Sequence, residues 1–550
     1  MLKTHNTLVI IILICCFGLT SFGQERPKVG LVLSGGGAAG LAHIGVIKVI
    51  EEAGIPIDYI GGTSMGSIVG AMHALGYSSD EMAKLIIEQD WEALLSDQVP
   101  RRDLTFEVKE DLEKYFYAFP ISRKGIELPS GLVAGHNIIN MLAGYTWDAY
   151  DIRDFSDLPI PFICIGTDIE TGKEVVLDSG ILHDALRASM AIPTAFTAVD
   201  VDDKLMIDGG LINNFPAEHV KLMGADIIIG IDVQANLRKK NELNSMVSIL
   251  KQALTLVRED ENERNRELCD ILIRPRTEDA HTLSFGMVDD IIKNGELKAR
   301  EQWDELKALG DNLKRMYPNQ PKVSIPRRKI DSLFIRELRF TGLERISQKD
   351  ILSIINLPFP AWLSPEQITE GLRHAFGTNY FNRISYQLDP VEDGVRLTIR
   401  AEEKGNEVAN IGLHFDNLFN ASLMLNANIR NLWKRGDRLS FDFTLGENPH
   451  FGTSYFFLTH KKQNYGIRTE YDRLIAYEYL NGNKISSYVY HNVIGDIILR
   501  TTYRDEFAVS MGLQAEFASV APSISVFDIA AFNSRMLNYY AEFKKDNFNK

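Results

Sequence analysis

The spacing of apolar residues changes character twice along the chain. From Lys28 to about Asp232, short continuous apolar runs alternate with stretches whose apolar residues recur every three to four positions. Lys28–Leu33 (KVGLVL), Ile57–Ile60, Pro161–Gly166 (PFICIG) and Asp226–Ile231 (DIIIGI) read as buried strands. Between them, Leu41, Ile44 and Ile47 share one helical face that ends near Gly54. Ile68, Met72 and Leu75 share another, ending near Gly76. Strands alternating with helices predict an α/β fold with a mainly parallel sheet. Leu243 to Leu313 reads as mostly helical and charged. A linker rich in Pro and Lys/Arg follows, Pro318–Arg328.

A small α+β unit is expected from Ile330 to Lys404. Ile335–Phe340 alternates like a strand. Ser347 and Ser364 read as helix N-caps, the second with Gln367 completing a capping box. Phe381–Leu388 and Val395–Ala401 read as strands joined through the turn pair Asp393-Gly394. This β-α-α-β-β order resembles a POTRA domain, the periplasmic module that precedes outer-membrane barrels. From Asn406 onward the period is two. Ala409, Ile411, Leu413 and Phe415 alternate with polar residues, as do Leu439, Phe441, Phe443 and Leu445, and Phe507, Val509, Met511 and Leu513. Segments of about ten residues with one apolar and one polar face predict transmembrane β-strands, with a soluble β-sandwich as the alternative. Six to eight such strands fit before Lys550. The sequence stops in a charged stretch, KKDNFNK, without a closing strand, so a fragment of a longer protein is expected.

Length and charge sharpen this picture. A chain of 550 residues holds more than one domain. The formal net charge of −15 argues against a nucleic-acid partner, and membrane contact has to be local or apolar. Lys3, the apolar run Leu8–Leu19 and Ser21-Phe22-Gly23 read as a secretory signal peptide cleaved before Gln24, with an uncleaved anchor helix as the alternative. Beyond that segment only Cys164 and Cys269 remain, which make neither a disulfide framework nor a metal site. No metal and no cofactor are expected. The expected domains are a signal peptide 1–23, an α/β domain 24–329, an α+β domain 330–404 and a partial barrel 405–550.

Three motifs carry chemistry. Gly35-Gly36-Gly37-Ala38-Ala39-Gly40 follows the first strand and opens a helix, where glycines let backbone N–H groups approach a negative charge. On its own it also fits a dinucleotide loop, with Asp58 about twenty residues on as the ribose acid. Gly62-Thr63-Ser64-Met65-Gly66 is a GxSxG string between strand and helix, the pattern of a nucleophile elbow. Asp208-Gly209-Gly210 follows a further strand. Taken together, and with Arg187-Ala188-Ser189-Met190-Ala191-Ile192-Pro193 before the Asp, these motifs resemble the patatin-like phospholipase family over about Lys28 to Asp232.

The resemblance implies a patatin-like three-layer sandwich and a Ser–Asp dyad. Ser64 would be the nucleophile and Asp208 its base. Backbone N–H groups of Gly36 and Gly37 would form the oxyanion hole, with Gly35, Gly40, Gly62, Gly66, Gly209 and Gly210 supporting the turns. The family usually carries Arg or Lys where this chain has Ala39. A His-dependent triad would call on His219 or His281. The expected function is an exported lipid acyl hydrolase of phospholipase A type, acting on phospholipid or another acyl lipid. The whole resembles a patatin-type autotransporter at the bacterial outer membrane, its catalytic domain in the periplasm or at the cell surface. The apolar segment Trp91–Trp147, with Tyr115, Phe116, Tyr117, Phe119 and Ile121, reads as a cap on the sheet or as a channel for an acyl chain. The competing reading is a non-catalytic outer-membrane assembly or binding protein with a relic hydrolase domain. Oligomeric state, lipid head group and acyl position are not encoded in any motif.

Overall fold

The computed structural model describes residues 26–546, apart from breaks at 113, 123–124, 127–130, 236, 238, 245, 276–284, 318–325, 406, 417–419, 434–435, 459–462, 504–505 and 525–530. The expected signal peptide, most of the linker and His281 lie outside the described residues. The chain divides into two units. One holds residues up to Ile87, Ser156–Ile165 and Gly210–Arg327. The other holds Glu88–Phe155, Gly166–Gly209 and the residues from Arg328 onward.

In the first unit, strands Ile271–Ile273, Ile227–Ile231, Val29–Leu33, Tyr59–Thr63 and the first part of Phe162–Asp168 lie side by side, all parallel. Val29–Leu33 is central and wholly buried, which is why it reads as an unbroken apolar run. The helix Ala42–Ala53 ends at Gly54, which takes the left-handed φ of 77° that a helix C-terminus favours. The stretch from Leu243 to Leu313 is mostly helical, as Met246–Glu267, Val288–Arg300 and Trp303–Met316, with the strand Ile271–Ile273 after the first. One expectation is corrected here. The second strand begins at Tyr59, so Asp58 precedes it. Asp58 is gripped by Arg26 (2.6 Å to Oδ1) and accepts the N–H of Val29 (2.8 Å). Both contacts lie at the amino end of the sheet, opposite the glycine loop, where no ribose could be reached.

The second unit contains the α+β module. Strand Leu333–Thr341, helices Gln348–Ile355 and Pro365–Gly377, and strands Phe381–Val391 and Gly394–Glu403 appear in the expected order. A short strand, Ala361–Leu363, stands between the helices and was not foreseen. Ser347 caps its helix through the N–H of Asp350, and Ser364 and Gln367 form the capping box. Ile335, Ile351, Leu372, Phe381, Ile384 and Leu397 fill the core. Strand Phe381–Val391 lies at the edge of its sheet, and its outward backbone groups are met by side chains. The N–H of Ile384 donates to His136 Nδ1 (3.4 Å), and Asn140 Nδ2 donates to Ile384 O (3.0 Å). His183 Nε2 donates to Tyr386 O (3.1 Å) and Arg153 Nη2 to Leu388 O (2.7 Å). Residues 384, 386 and 388 present the same edge because strands repeat every second residue.

The same unit holds a ten-stranded antiparallel sheet, eight of whose strands lie between Glu407 and Lys545. Its alternation is inverted relative to a water-soluble sheet. Ile497 is 65% exposed, Leu513 58% and Tyr539 89%. Polar residues on the other face are buried and bonded: Asn426 Nδ2 donates to Asp442 Oδ1 (2.9 Å) and Arg468 Nε to Asp496 Oδ2 (3.0 Å). Apolar outside and polar inside is the pattern of a barrel wall facing lipid. The last described strand, Phe532–Lys545, ends at the start of the terminal charged stretch. The aromatic segment after Trp91 contributes a strand to this sheet. Its strand Tyr117–Ser122 pairs antiparallel with Glu407–Ile411. Glu110 sits between Arg500 (2.9 Å) and Lys544 (2.8 Å), and Tyr115 Oη donates to Asp442 (2.7 Å).

The two faces of the sheet give a direct test. Ile497→Arg should destabilise the full chain folded in lipid vesicles by about 2–4 kcal/mol if the site lies at mid-bilayer. Asn538→Lys, on the other face, should cost far less. Urea unfolding followed by tryptophan fluorescence compares them, and equal losses would argue for a sandwich. A second test concerns His183. Burial pushes its pKa down to about 4, against the pull of Asp184 and with the repulsion of Arg400 and Arg153. The unfolded chain therefore binds the extra proton. The stability that neutral His183 contributes is complete above about pH 6.5 and drains away as pH falls toward 4. His183→Gln keeps a donor for Tyr386 O and should make the melting temperature fall less steeply between pH 6.5 and 4.5. An unchanged slope would refute this linkage.

Candidate active site

Ser64 ends the strand Tyr59–Thr63 and caps the helix Met65–Ala74 with φ 55° and ψ −124°. A non-glycine residue in that region is strained, and such strain is typical of functional turns. The turn closes because its neighbours lack side chains. A Cβ on Gly66 would lie 2.4 Å from Leu33 O, and one on Gly62 would lie 2.6 Å from Gly66 O. The carbonyl of Ser64 accepts the N–H and hydroxyl of Ser67 (3.0 and 2.6 Å), locking the first helical turn.

The glycine loop lies directly beside this turn. A Cβ on Gly35 would stand 3.1 Å from the Cβ of Ser64, and one on Gly40 would stand 2.6 Å from that of Met65. Gly36 is extended at φ −176°, Gly37 takes φ 60°, and a 3-10 turn runs over Gly37–Leu41. Gly36 thus stands at the N-cap of that turn and Gly37 at its first residue. Ala39 is buried.

The loop is held by groups that sequence reasoning missed. The Ser34 N–H donates to Ile231 O (3.1 Å), and the Ser34 hydroxyl accepts the N–H of Val233 (2.9 Å). His43 Nε2 bonds Ser34 O at 2.8 Å. Gly35 N–H donates to Asn214 O (3.1 Å), and Asn214 Nδ2 donates to Gly35 O (3.1 Å). Asn213 O accepts the hydroxyl of Thr63, the residue before Ser64, at 3.0 Å. The available signal was two buried asparagines inside an apolar string, Leu211–Pro216, just after the Asp-Gly-Gly.

Asp208 belongs to the second unit. It is buried at the end of strand Lys204–Asp208, which pairs antiparallel with Gly166–Asp168. Its N–H donates to Ala191 O (2.9 Å), and its carbonyl accepts the Thr167 hydroxyl (3.1 Å). A 3-10 turn, Gly209–Leu211, follows. The segment leading to Ala191 is anchored by Arg187, fully buried on helix Leu182–Ser189. Its Nη2 donates to Ala134 O and Thr197 O (3.2 and 3.1 Å), and burial lowers its pKa to about 10. Gly210 O, in the first unit, accepts from Arg258 Nη1.

Four histidines, His43, His73, His136 and His183, bond backbone groups. Besides His136 and His183, His43 is wholly buried, and burial pushes its pKa down to about 4. His73 bonds Tyr77 O (3.4 Å) and is likewise lowered to about 4 by burial. His219 lies half-buried on the helix Ala217–Leu222. Cys164 is buried, and burial raises the Cys269 thiol to about 12, so it stays protonated at neutral pH.

Comparison with known proteins assigns each region. Residues 31–221 match the patatin-like phospholipase family, 333–404 the surface antigen variable number repeat, or POTRA, and 395–550 the OMP85 superfamily. Patatin-like phospholipase domain-containing protein 7 of Rattus norvegicus is 30% identical over 295 residues, 48% of this chain and 20% of that protein. Lysophospholipase nte1 of Emericella nidulans is 28% identical over 308 residues, 51% of this chain. The chain thus spans only 20% and 18% of the length of these relatives. Among solved structures, BamA of Haemophilus ducreyi lacking POTRA domains 1–3 aligns with a TM-score of 0.31 and 12% identity, covering 41% of this chain and 46% of that one. VipD of Legionella pneumophila aligns with a TM-score of 0.29 and 14% identity, covering 51% and 67%. The Omp85 and POTRA matches point to the outer membrane. A patatin-like phospholipase domain, a POTRA domain and an Omp85-superfamily domain thus follow one another in this chain.

Proposed function

We propose that the chain is an exported lipid acyl hydrolase of phospholipase A type, with domains at 24–329, 330–404 and 405–550. Its barrel fixes the enzyme at the outer membrane, in the periplasm or at the cell surface. The observation that carries this reading is the strained Ser64 turn packed against a glycine loop. Ser64 Oγ attacks the acyl carbonyl while the Asp208 carboxylate takes its proton. The N–H groups of Gly36 and Gly37 receive the oxyanion. Asp208 then returns the proton to the departing alcohol, and water releases the acid by the same route. The patatin-like match and the relatives named as phospholipases support the acyl-lipid substrate. A tether beside a bilayer raises its effective concentration.

Two measurements test the proposal on the full chain in detergent or membranes. A fluorophosphonate probe should label Ser64, and Ser64→Ala should abolish both labelling and ester hydrolysis. Asp208→Asn should lower kcat by about 10² or more. His219→Gln should change it far less. Persistent labelling of Ser64→Ala would sink the nucleophile, and an inactive wild type would favour the relic domain. In a chain-length series without metal, kcat/KM should rise from acetyl to long-chain esters, since each buried CH₂ is worth about 0.8 kcal/mol. A profile that falls from acetyl upward would mean a short-chain esterase.

A further inference from the structure

The Gly35–Gly36–Gly37 run creates a problem that its own chemistry cannot solve. Glycine on both sides of a peptide group lets that group rotate almost freely, because no Cβ resists either orientation. The N–H of Gly36 would be as content pointing away from an oxyanion as toward it. In a planar trans peptide, however, the C=O of Gly35 and the N–H of Gly36 point in opposite directions. Whatever holds the carbonyl aims the donor.

That carbonyl is held by one side-chain amide, Asn214 Nδ2 at 3.1 Å, while the carbonyl of the same asparagine accepts the Gly35 N–H at 3.1 Å. Asn214 is 4% exposed. Its fit is tight, since a Cβ on Gly35 would lie 2.4 Å from Asn214 Oδ1. We propose that Asn214 is a positioning residue that fixes the Gly35–Gly36 peptide and so aims the oxyanion donor of Gly36. The inference rests on the hydrolase reading of Ser64 and adds to it a residue outside the three motifs.

The test uses the full chain with Asn214→Asp and Asn214→Ser. The aspartate keeps the shape but sets a carboxylate oxygen against Gly35 O. The serine removes the amide without adding charge and serves if the aspartate variant misfolds. Each variant is checked for the wild-type melting profile. Against a long-chain ester, kcat should fall about 10- to 100-fold, less than or equal to the loss of a whole oxyanion donor, with KM within about threefold. Affinity for a long-chain trifluoromethyl ketone, which forms the tetrahedral adduct, should weaken by the same factor as kcat/KM. Affinity for the non-hydrolysable ether analogue should not move. Wild-type kcat in a folded Asn214→Asp, or equal weakening of ketone and ether, would overturn the positioning role. Ser64 labelling by fluorophosphonate in the wild type keeps the two questions apart. With labelling present, such a result removes only the role of Asn214. Without labelling or activity, the hydrolase reading falls as well.

Discussion

A serine hydroxyl can leave the carboxyl edge of a parallel sheet only if the chain reverses within a single residue, and that reversal governs the surroundings of Ser64. A φ of 55° costs about 1–3 kcal/mol and persists only where neighbours over-determine it. Here the constraint comes from crowding. Gly66 presses against the carbonyls of Leu33 and Ser34, and Gly62 presses against Gly66, so no side chain fits at either position. The strand that feeds the turn is tied down through Thr63 and Asn213. Placing the glycine loop on the neighbouring strand then follows from parallel pairing, Val32 beside Gly61 and Leu33 beside Gly62. One strained residue thus goes with glycine at positions 62 and 66, and the glycines of the neighbouring loop leave a backbone that needs external clamps.

This dependence explains which parts of the site could be read from the sequence. Glycines at fixed offsets from a serine or an aspartate leave a local trace, so Ser64, the glycine loop and Asp208 stood out. Asn214 and His43 act by bonding the backbone of Gly35 and Ser34, and only the folded sheet brings those groups together. Spacing misled in the case of Asp58. Twenty residues beyond a glycine loop fits a ribose acid, but counting residues does not reveal at which end of a strand the acid stands. The strand Ile271–Ile273 has three residues, too few for any period to register against the long helices around it. The strand Tyr117–Ser122 was hidden for another reason. Its aromatic residues look like core, and its partner strand lies almost three hundred residues away, at Glu407–Ile411.

The POTRA edge illustrates how a polar cluster can be structural in full. An edge strand exposes a row of unpaired N–H and C=O groups, and an unpaired group taken out of water costs about 1–3 kcal/mol. His136, Asn140, His183 and Arg153 meet those of Phe381–Val391 one by one, and the bidentate pair of Arg400 with Asp184 stands behind them (2.5 and 2.7 Å). Two histidines on neighbouring helices, with an arginine from the loop between them, would look like a catalytic cluster if position were ignored. Their burial, with pKa values of about 3 for His136 and about 4 for His183, leaves the imidazoles neutral, as a hydrogen-bonding scaffold requires.

The antiparallel strands raise the opposite question, because a period of two never says which face is inside. A β-sandwich and a membrane barrel share it. The decision rests on where the polar groups find partners. Asn426, Asp442, Arg468 and Asp496 are bonded to one another on the enclosed face, while Ile497, Leu513 and Tyr539 point outward. In water, each such outward side chain would forgo about 1.5–3 kcal/mol of burial, and a wall of them would not stay dispersed. In lipid the same wall is at ease. A chain with a net charge of −15 cannot rely on anionic head groups to hold it at a membrane. Attachment through the apolar faces of strands is the form of contact this composition permits, and it needs no charge at all.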